Sequence, residues 1–210
     1  MFDITTNQAD SPRCRFLFAH GAGAGKDSEF MAQMAALLAE RHIEVVRFDF
    51  PYMQTIATTG KRRPPDKADK LQAYFHQVIA HVKQTMPALP LFIGGKSMGG
   101  RMATLIADEA DVNGTVVFGY PFHPPGKPDK LRTEHLAVCR HPVHIIQGER
   151  DTFGRKDEIS AYTLSDKLTL TFLADGDHSL KPRKSSGFDY ASHMQQAADT
   201  AAAFMQEQGA

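Results

Sequence analysis

The strongest constraint on this chain is the order of its patterns: short apolar runs alternate with stretches of helical periodicity. The runs are Phe16 to Ala19, Val45 to Phe50, Leu91 to Ile93, Thr115 to Phe118, Val143 to Ile146 and Leu168 to Leu173, each about the length of a strand. Between the first two, KDSEFMAQMAALLAERH sets Phe30, Met34, Leu37 and Leu38 on one helical face. DKLQAYFHQVIAHVKQTM does the same with Leu71, Tyr74, Val78, Val82 and Met86 until Pro87 stops it. MATLIADE, DKLRTEHLAVC and KDEISAYTL carry the alternation on, and YASHMQQAADTAAAFMQ, with Met194, Ala197, Ala201, Phe204 and Met205 near one face, docks as a final helix. Such βα units close as right-handed crossovers, so the expected fold is α/β: a mostly parallel sheet of about six to seven strands with helices on both faces.

Size and charge narrow the partners. A chain of 210 residues fits one domain, residues 1–210, that removes about 70% of its unfolded surface from water. Lys and Arg total 24 and Asp and Glu total 24, which leaves no positive field to draw the chain onto nucleic acid or anionic lipid. The start, MFDITTNQADSPRCRFLF, lacks the basic beginning and apolar run of a signal peptide, and no later stretch approaches a membrane span; the expectation is a soluble, cytoplasmic protein. Cys14 and Cys139 are too few for a disulfide framework, and no CxxC or HExxH spacing suggests a metal.

Two glycine-rich turns invite phosphate chemistry, and neither fits. GKS at Gly95-Lys96-Ser97 matches the end of a P-loop, but the first glycine of that motif falls on Pro90. In GAGAGKDS, Asp27 replaces the required hydroxyl and His20 the first glycine. A dinucleotide site would use Gly21, Gly23 and Gly25 with Asp49 on the second strand, yet Lys26 stands where the third glycine must allow close helix packing. The segments MQTIATTGKRRPPDK and PFHPPGKP read as loops at the C-terminal edge of the sheet, where ligands bind. The basic run Lys61, Arg62, Arg63 reads as a solvated part of the first loop and is left out of the site.

Gly95-Lys96-Ser97-Met98-Gly99 also matches G-x-S-x-G. That spacing puts a serine on a tight strand-to-helix turn, with glycines where side chains would collide and a helix N-terminus beside the hydroxyl. A serine becomes a nucleophile only when a base takes its proton, and the base needs an acid to fix its tautomer. In this strand order the acid precedes the histidine along the chain. Asp151 follows strand VHIIQ in GERD, and His178 follows strand LTLTFL in ADGDHSL. His123 is the second candidate base, and Glu149, Asp175 and Asp177 are rival acids. The two backbone amides of an oxyanion hole are expected from Met98 and, in the loop AHGAGAG, from Ala22, with Gly23 the second choice.

HGAGAG, FDFPY, GGKSMGGR, QGERDTFG and GDHSLKP occur in the order found in α/β-hydrolases, and the chain resembles that superfamily from Phe16 to its last helix. It is most similar to small members without a cap, akin to dienelactone-hydrolase-like proteins, in which GGxSMGGR and PxxLRxxHL recur; the latter runs here from Pro128 to Leu136. The resemblance implies Ser97 as nucleophile, Asp151 as acid and His178 as base. Serine where a dienelactone hydrolase carries cysteine argues against that activity. Residues 1–14 leave room for one strand at most, and the span from Tyr120 to Val143 leaves none for a cap, so the site should be open. The expected function is hydrolysis of a short or exposed carboxylic ester, with thioester or acyl-peptide as further substrate candidates, through an acyl-enzyme on Ser97 and without a cofactor or metal. The alternative is a catalytically idle fold that serves as a binding or scaffold protein, since the group includes a eukaryotic relative in a nuclear acetyltransferase complex.

Overall fold

The computed structural model describes residues 2–210. Strands β1 (Ile4–Asn7), β2 (Cys14–Ala19), β3 (Ile43–Phe48), β4 (Leu91–Lys96), β5 (Gly114–Phe118), β6 (Val143–Gly148) and β7 (Leu168–Leu173) form one sheet. Its order is β1-β3-β2-β4-β5-β6-β7. β1 is antiparallel to β3 and every other pair is parallel. The six strands expected from the apolar runs are all present, and β1 is the single additional strand for which the first residues have room.

The helices are α1 (Glu29–Ala39), α2 (Pro51–Thr59), α3 (Ala68–Thr85), α4 (Met98–Ile106), α5 (Glu134–Ala137), α6 (Lys156–Ile159) and α7 (Tyr190–Gln208). Side chains alternate across the strands, so Phe16 and Phe18 of β2 meet α1 and α7, whereas Leu17 and Ala19 meet the layer of α2, α3 and α4. On the first side Met31, Met34 and Leu38 of α1 join Met194, Ala197, Ala201 and Met205 of α7 in one cluster. On the other, Leu71, Phe75, Val78 and Val82 of α3 pack over Phe48 and Phe50, whose rings lie 5.0 Å and 6.0 Å from Phe75. Both faces of the central strands are thus covered, which is why those runs lack polar alternation.

One expected loop is partly a helix. The stretch from Met53 to Lys67 begins inside α2, which starts on Pro51 at its first turn and ends on Gly60 with φ 68°. The segment is rich in threonine, a weak helix former, and carries few apolar residues to mark a face. Burial of Tyr52 and Met53 outweighs that weak propensity, and the hydroxyls of Thr55, Thr58 and Thr59 bond to carbonyls one turn back. From Gly60 onward the segment is a loop, as expected, and Lys61, Arg62 and Arg63 are exposed.

The chain runs from β2 to β3 on one side and returns to β4 on the other, so the loops after β2 and β4 diverge from a topological switch point. Between β5 and β6 there is only the four-residue α5 and no cap. Among the described residues, no helix is long and apolar enough to cross a membrane.

Candidate active site

β4 ends at Lys96 and α4 begins at Met98, which isolates Ser97 in the turn with φ 52° and ψ −114°. A residue with a Cβ adopts this backbone at a cost of about 1–3 kcal/mol, so its surroundings must impose it. The Ser97 N–H donates to the Phe118 carbonyl at 3.1 Å, and the Ser97 carbonyl accepts from the Arg101 N–H at 2.9 Å. The flanking glycines matter for space: a Cβ at Gly95 would lie 2.4 Å from the Ala19 carbonyl oxygen, and one at Gly99 would lie 2.5 Å from that of His20. Side chains there would push the elbow off the end of β2.

The structure brings Ser97, His178 and Asp151 together. His178 Nε2 lies 2.8 Å from Ser97 Oγ, and Nδ1 lies 2.7 Å from Asp151 Oδ2. A carboxylate only accepts, so Nδ1 carries the proton and Nε2 is left to accept from the serine hydroxyl. Burial pushes the His178 imidazole below the usual histidine range, and the neighbouring Lys96 charge acts the same way, against the opposing pull of Asp151. The ring is therefore neutral and basic near pH 7.

Asp151 is fully buried and its oxygens are satisfied: Oδ2 also accepts from Gln147 Nε2 at 2.8 Å, and Oδ1 accepts from the Phe153 N–H at 2.8 Å. Gln147 Oε1 in turn accepts from the Tyr120 N–H at 2.7 Å, which ties the acid to the loop after β5. The Phe153 ring stacks on His178 with centroids 4.2 Å apart. Sequence reasoning missed Gln147 and Phe153. The signal for the first was present, a polar residue directly after the apolar run of β6, but its partner could not be read.

The rival groups are engaged elsewhere. His123 directs Nδ1 to the Pro124 carbonyl at 2.9 Å and Nε2 to Glu158 at 3.4 Å. Glu149 pairs with Lys156, Asp175 with Arg183, and Asp177 Oδ1 accepts the N–H groups of Ser179 and Lys181.

Ala22 lies in the loop between β2 and α1, and Met98 is the first residue of α4, where the N–H has no intrahelical partner. Buried His20 sets the orientation of the loop. Its Nε2 accepts from the Phe50 N–H at 3.1 Å, so Nδ1 bears the proton and donates to the Gly21 carbonyl at 2.7 Å. In a trans peptide the Ala22 N–H must then point away from His20. Tyr52 holds the next carbonyl, that of Ala22, at 3.0 Å. Asp49, the acid that a dinucleotide site would need, accepts the Lys26 N–H at 2.7 Å and so braces the same loop.

Ala22, Phe30, Met31, Lys96, Ser97, Phe153 and His178 line an open cleft of about 460 Å³. A larger and more polar cavity of about 600 Å³ lies between α7 and the first residues of β6 and β7, at the opposite edge of the sheet from Ser97. The segment PDKLRTEHL packs against α4 and the residues after β5. Tyr120 Oη donates to the Arg132 carbonyl at 2.8 Å, and Thr104 Oγ1 lies 3.0 Å from His135 Nε2. Burial, reinforced by the Arg101 charge, pushes the His135 imidazole down to about 4, so this contact is made by a neutral ring. Among the described residues no group of three His, Cys, Asp or Glu side chains is arranged to hold a metal ion.

A family model described as "Alpha/beta hydrolase domain" matches residues 12–206. No curated protein sequence matches the chain. Among solved structures, Est1E from Butyrivibrio proteoclasticus with ferulic acid bound superposes with a TM-score of 0.72 at 14% identity, over 99% of this chain and 95% of that one. Dienelactone hydrolase from Anabaena variabilis gives 0.70 at 19% identity, over 97% and 90%. XC6422 from Xanthomonas campestris, an α/β serine hydrolase without a lid, gives 0.67 at 16% identity, over 99% and 87%. At these identities the likeness is one of fold.

Proposed function

The chain belongs to the alpha/beta hydrolase domain family, and on that premise we propose that it is a serine hydrolase of carboxylesterase type, acting through an acyl-enzyme on Ser97. The observation that carries this reading is the unbroken hydrogen-bond path from the Ser97 hydroxyl through His178 to buried Asp151. A serine in a structural turn has no need of a neutral, acid-oriented imidazole on its hydroxyl.

In the first half-reaction His178 Nε2 takes the Ser97 proton as Oγ attacks the carbonyl carbon. The resulting oxyanion is held by the amides of Met98 and Ala22, and the positive N-terminal end of α4 favours the charge. Asp151 stabilises the imidazolium without taking its proton. Collapse expels the alcohol, which receives that proton. Water then gives a proton to His178, attacks the acyl carbon and releases the acid with Ser97 restored. A cleft with no cap offers few walls for a long acyl chain, which favours short or exposed esters, with thioesters as a further class.

The test is intact-mass analysis after exposure to a small fluorophosphonate, with wild type and Ser97→Ala run together. One adduct on wild type and none on the variant is the expected result. Folded wild type that stays unlabelled overturns the reading and leaves the fold as a binding scaffold.

A further inference from the structure

The lysine of the GKS turn enters the cycle above only through its charge near His178, yet its position is unusual. Lys96 is 8% exposed at the last position of β4. Lys26, Lys70, Lys83 and Lys156 each pair with a carboxylate, and among the described residues Lys96 pairs with none. Its Nζ donates to the His178 carbonyl and stands 5.5 Å from the centre of the Phe30 ring. An ammonium has three N–H donors, and one is used. The charged groups that act on it are Asp151 and Asp177, from the loops after β6 and β7; Glu29, exposed on α1, lies at the rim of the cleft. Burial outweighs the pull of those two aspartates and pushes the Lys96 ammonium down to about 8.

A cation taken out of water without an ion-pair partner is costly, and Lys96 is one of the residues that line the cleft containing Ser97. Apart from Ser97, His178, two further serines and Glu29 at the rim, the rest of that lining is small or apolar, with Ala22, Phe30, Met31 and Phe153. An anion entering the cleft would find this one desolvated, incompletely compensated positive charge beside the serine. We infer that Lys96 is a specificity-determining residue, and that the substrate class is a short ester bearing a carboxylate which ion-pairs with its ammonium. This inference rests on the hydrolase reading and names the substrate class of the same site.

Two ester pairs test it. Monoethyl glutarate and ethyl valerate share the alcohol and differ by a carboxylate on the acyl side; acetoxyacetate and propyl acetate share the acid and differ on the alcohol side. A charge-assisted bond of this kind predicts that wild type at pH 7 favours the charged member of at least one pair by about 10- to 100-fold in kcat/KM. The ratio, and not the rate, is the readout. It should fall close to one in Lys96→Met, and in wild type as the pH is raised past 8 and the ammonium loses its proton. A wild-type ratio near or below one in both pairs overturns the inference. So does an equal loss on both members in Lys96→Met, which would make the lysine a tether for the His178 loop.

If Lys96→Met does not fold, the pH series on wild type decides. Binding separates this inference from the hydrolase reading. Ser97→Ala should bind monoethyl glutarate by calorimetry, and Lys96→Met in that background should weaken binding at least tenfold. Fluorophosphonate labelling of Ser97 with no carboxylate preference removes only the inference. Absence of labelling alongside Lys96-dependent binding removes only the hydrolase.

Discussion

His178 and His20 sit on two loops at the same edge of the sheet, and each lies near a carboxylate, Asp151 at 2.7 Å and Asp49 at 3.5 Å. Burial lowers the pKa of both rings. Their uses differ because of what meets Nε2. In His20 it meets the Phe50 amide, a donor that never leaves, so the ring is locked between two backbone groups and orients the loop carrying Ala22. In His178 it meets the Ser97 hydroxyl, a donor that can give up its proton. Burial and a nearby acid are thus common to a structural and a reactive histidine; the partner of the second ring nitrogen decides between them. His123 belongs with His20, since both its nitrogens face groups other than Ser97.

The sharpest break of this comparison is Ser97→Ala, which should lower kcat by a factor on the order of 10⁶ while leaving the urea unfolding midpoint near that of wild type. Turnover close to wild type would place the chemistry at another residue. Next comes the pair of carboxylate variants, Asp151→Asn against Glu158→Gln, assayed on the same ester. The first should lose about 10⁴ in kcat because the imidazole loses its tautomer, whereas the second should stay within about tenfold. A reversed order would transfer the base to His123.

His20→Ala tests the structural member. It frees the Gly21 carbonyl and leaves the buried Phe50 N–H without a partner, which costs about 1–3 kcal/mol in urea unfolding. As the Ala22 amide loses its orientation, kcat should fall by up to about 10²–10³, the effect of losing one oxyanion donor. Loss of stability with full kcat would detach Ala22 from the oxyanion role.

The smallest effects are those of pH. The base form of His178 is neutral and its folded pKa lies below 6.5, so kcat/KM should rise with pH through a midpoint under 6.5. A midpoint above 6.5 would mean that Asp151 outweighs burial. His20 likewise has a lowered folded pKa, so the unfolded chain binds its proton first; stability is fully present above about 6.5 and is lost as pH falls below it. His20→Asn should flatten that acid loss, measured by urea unfolding between pH 7 and pH 5.

What the sequence determined by itself was local. Alternating apolar runs and helical faces specify βα units because their spacing is a property of neighbouring residues, and the turn at Ser97 is legible because strain and its relief by Gly95 and Gly99 lie within five positions. Asp151 and His178 could be ranked by chain order but not separated from His123 or Asp175 by any local rule. α2 was hidden because Tyr52 and Met53, not helix propensity, hold it in place. The tertiary structure decided the rest. His178 lies 81 residues from Ser97 and 27 from Asp151, and the braces Gln147, Phe153 and His20 act across loops from β2, β6 and β7. A hydrogen bond needs its two atoms near 3 Å, and distances at that scale between remote residues exist only once β2 is set between β3 and β4 and the sheet brings its C-terminal loops to one edge.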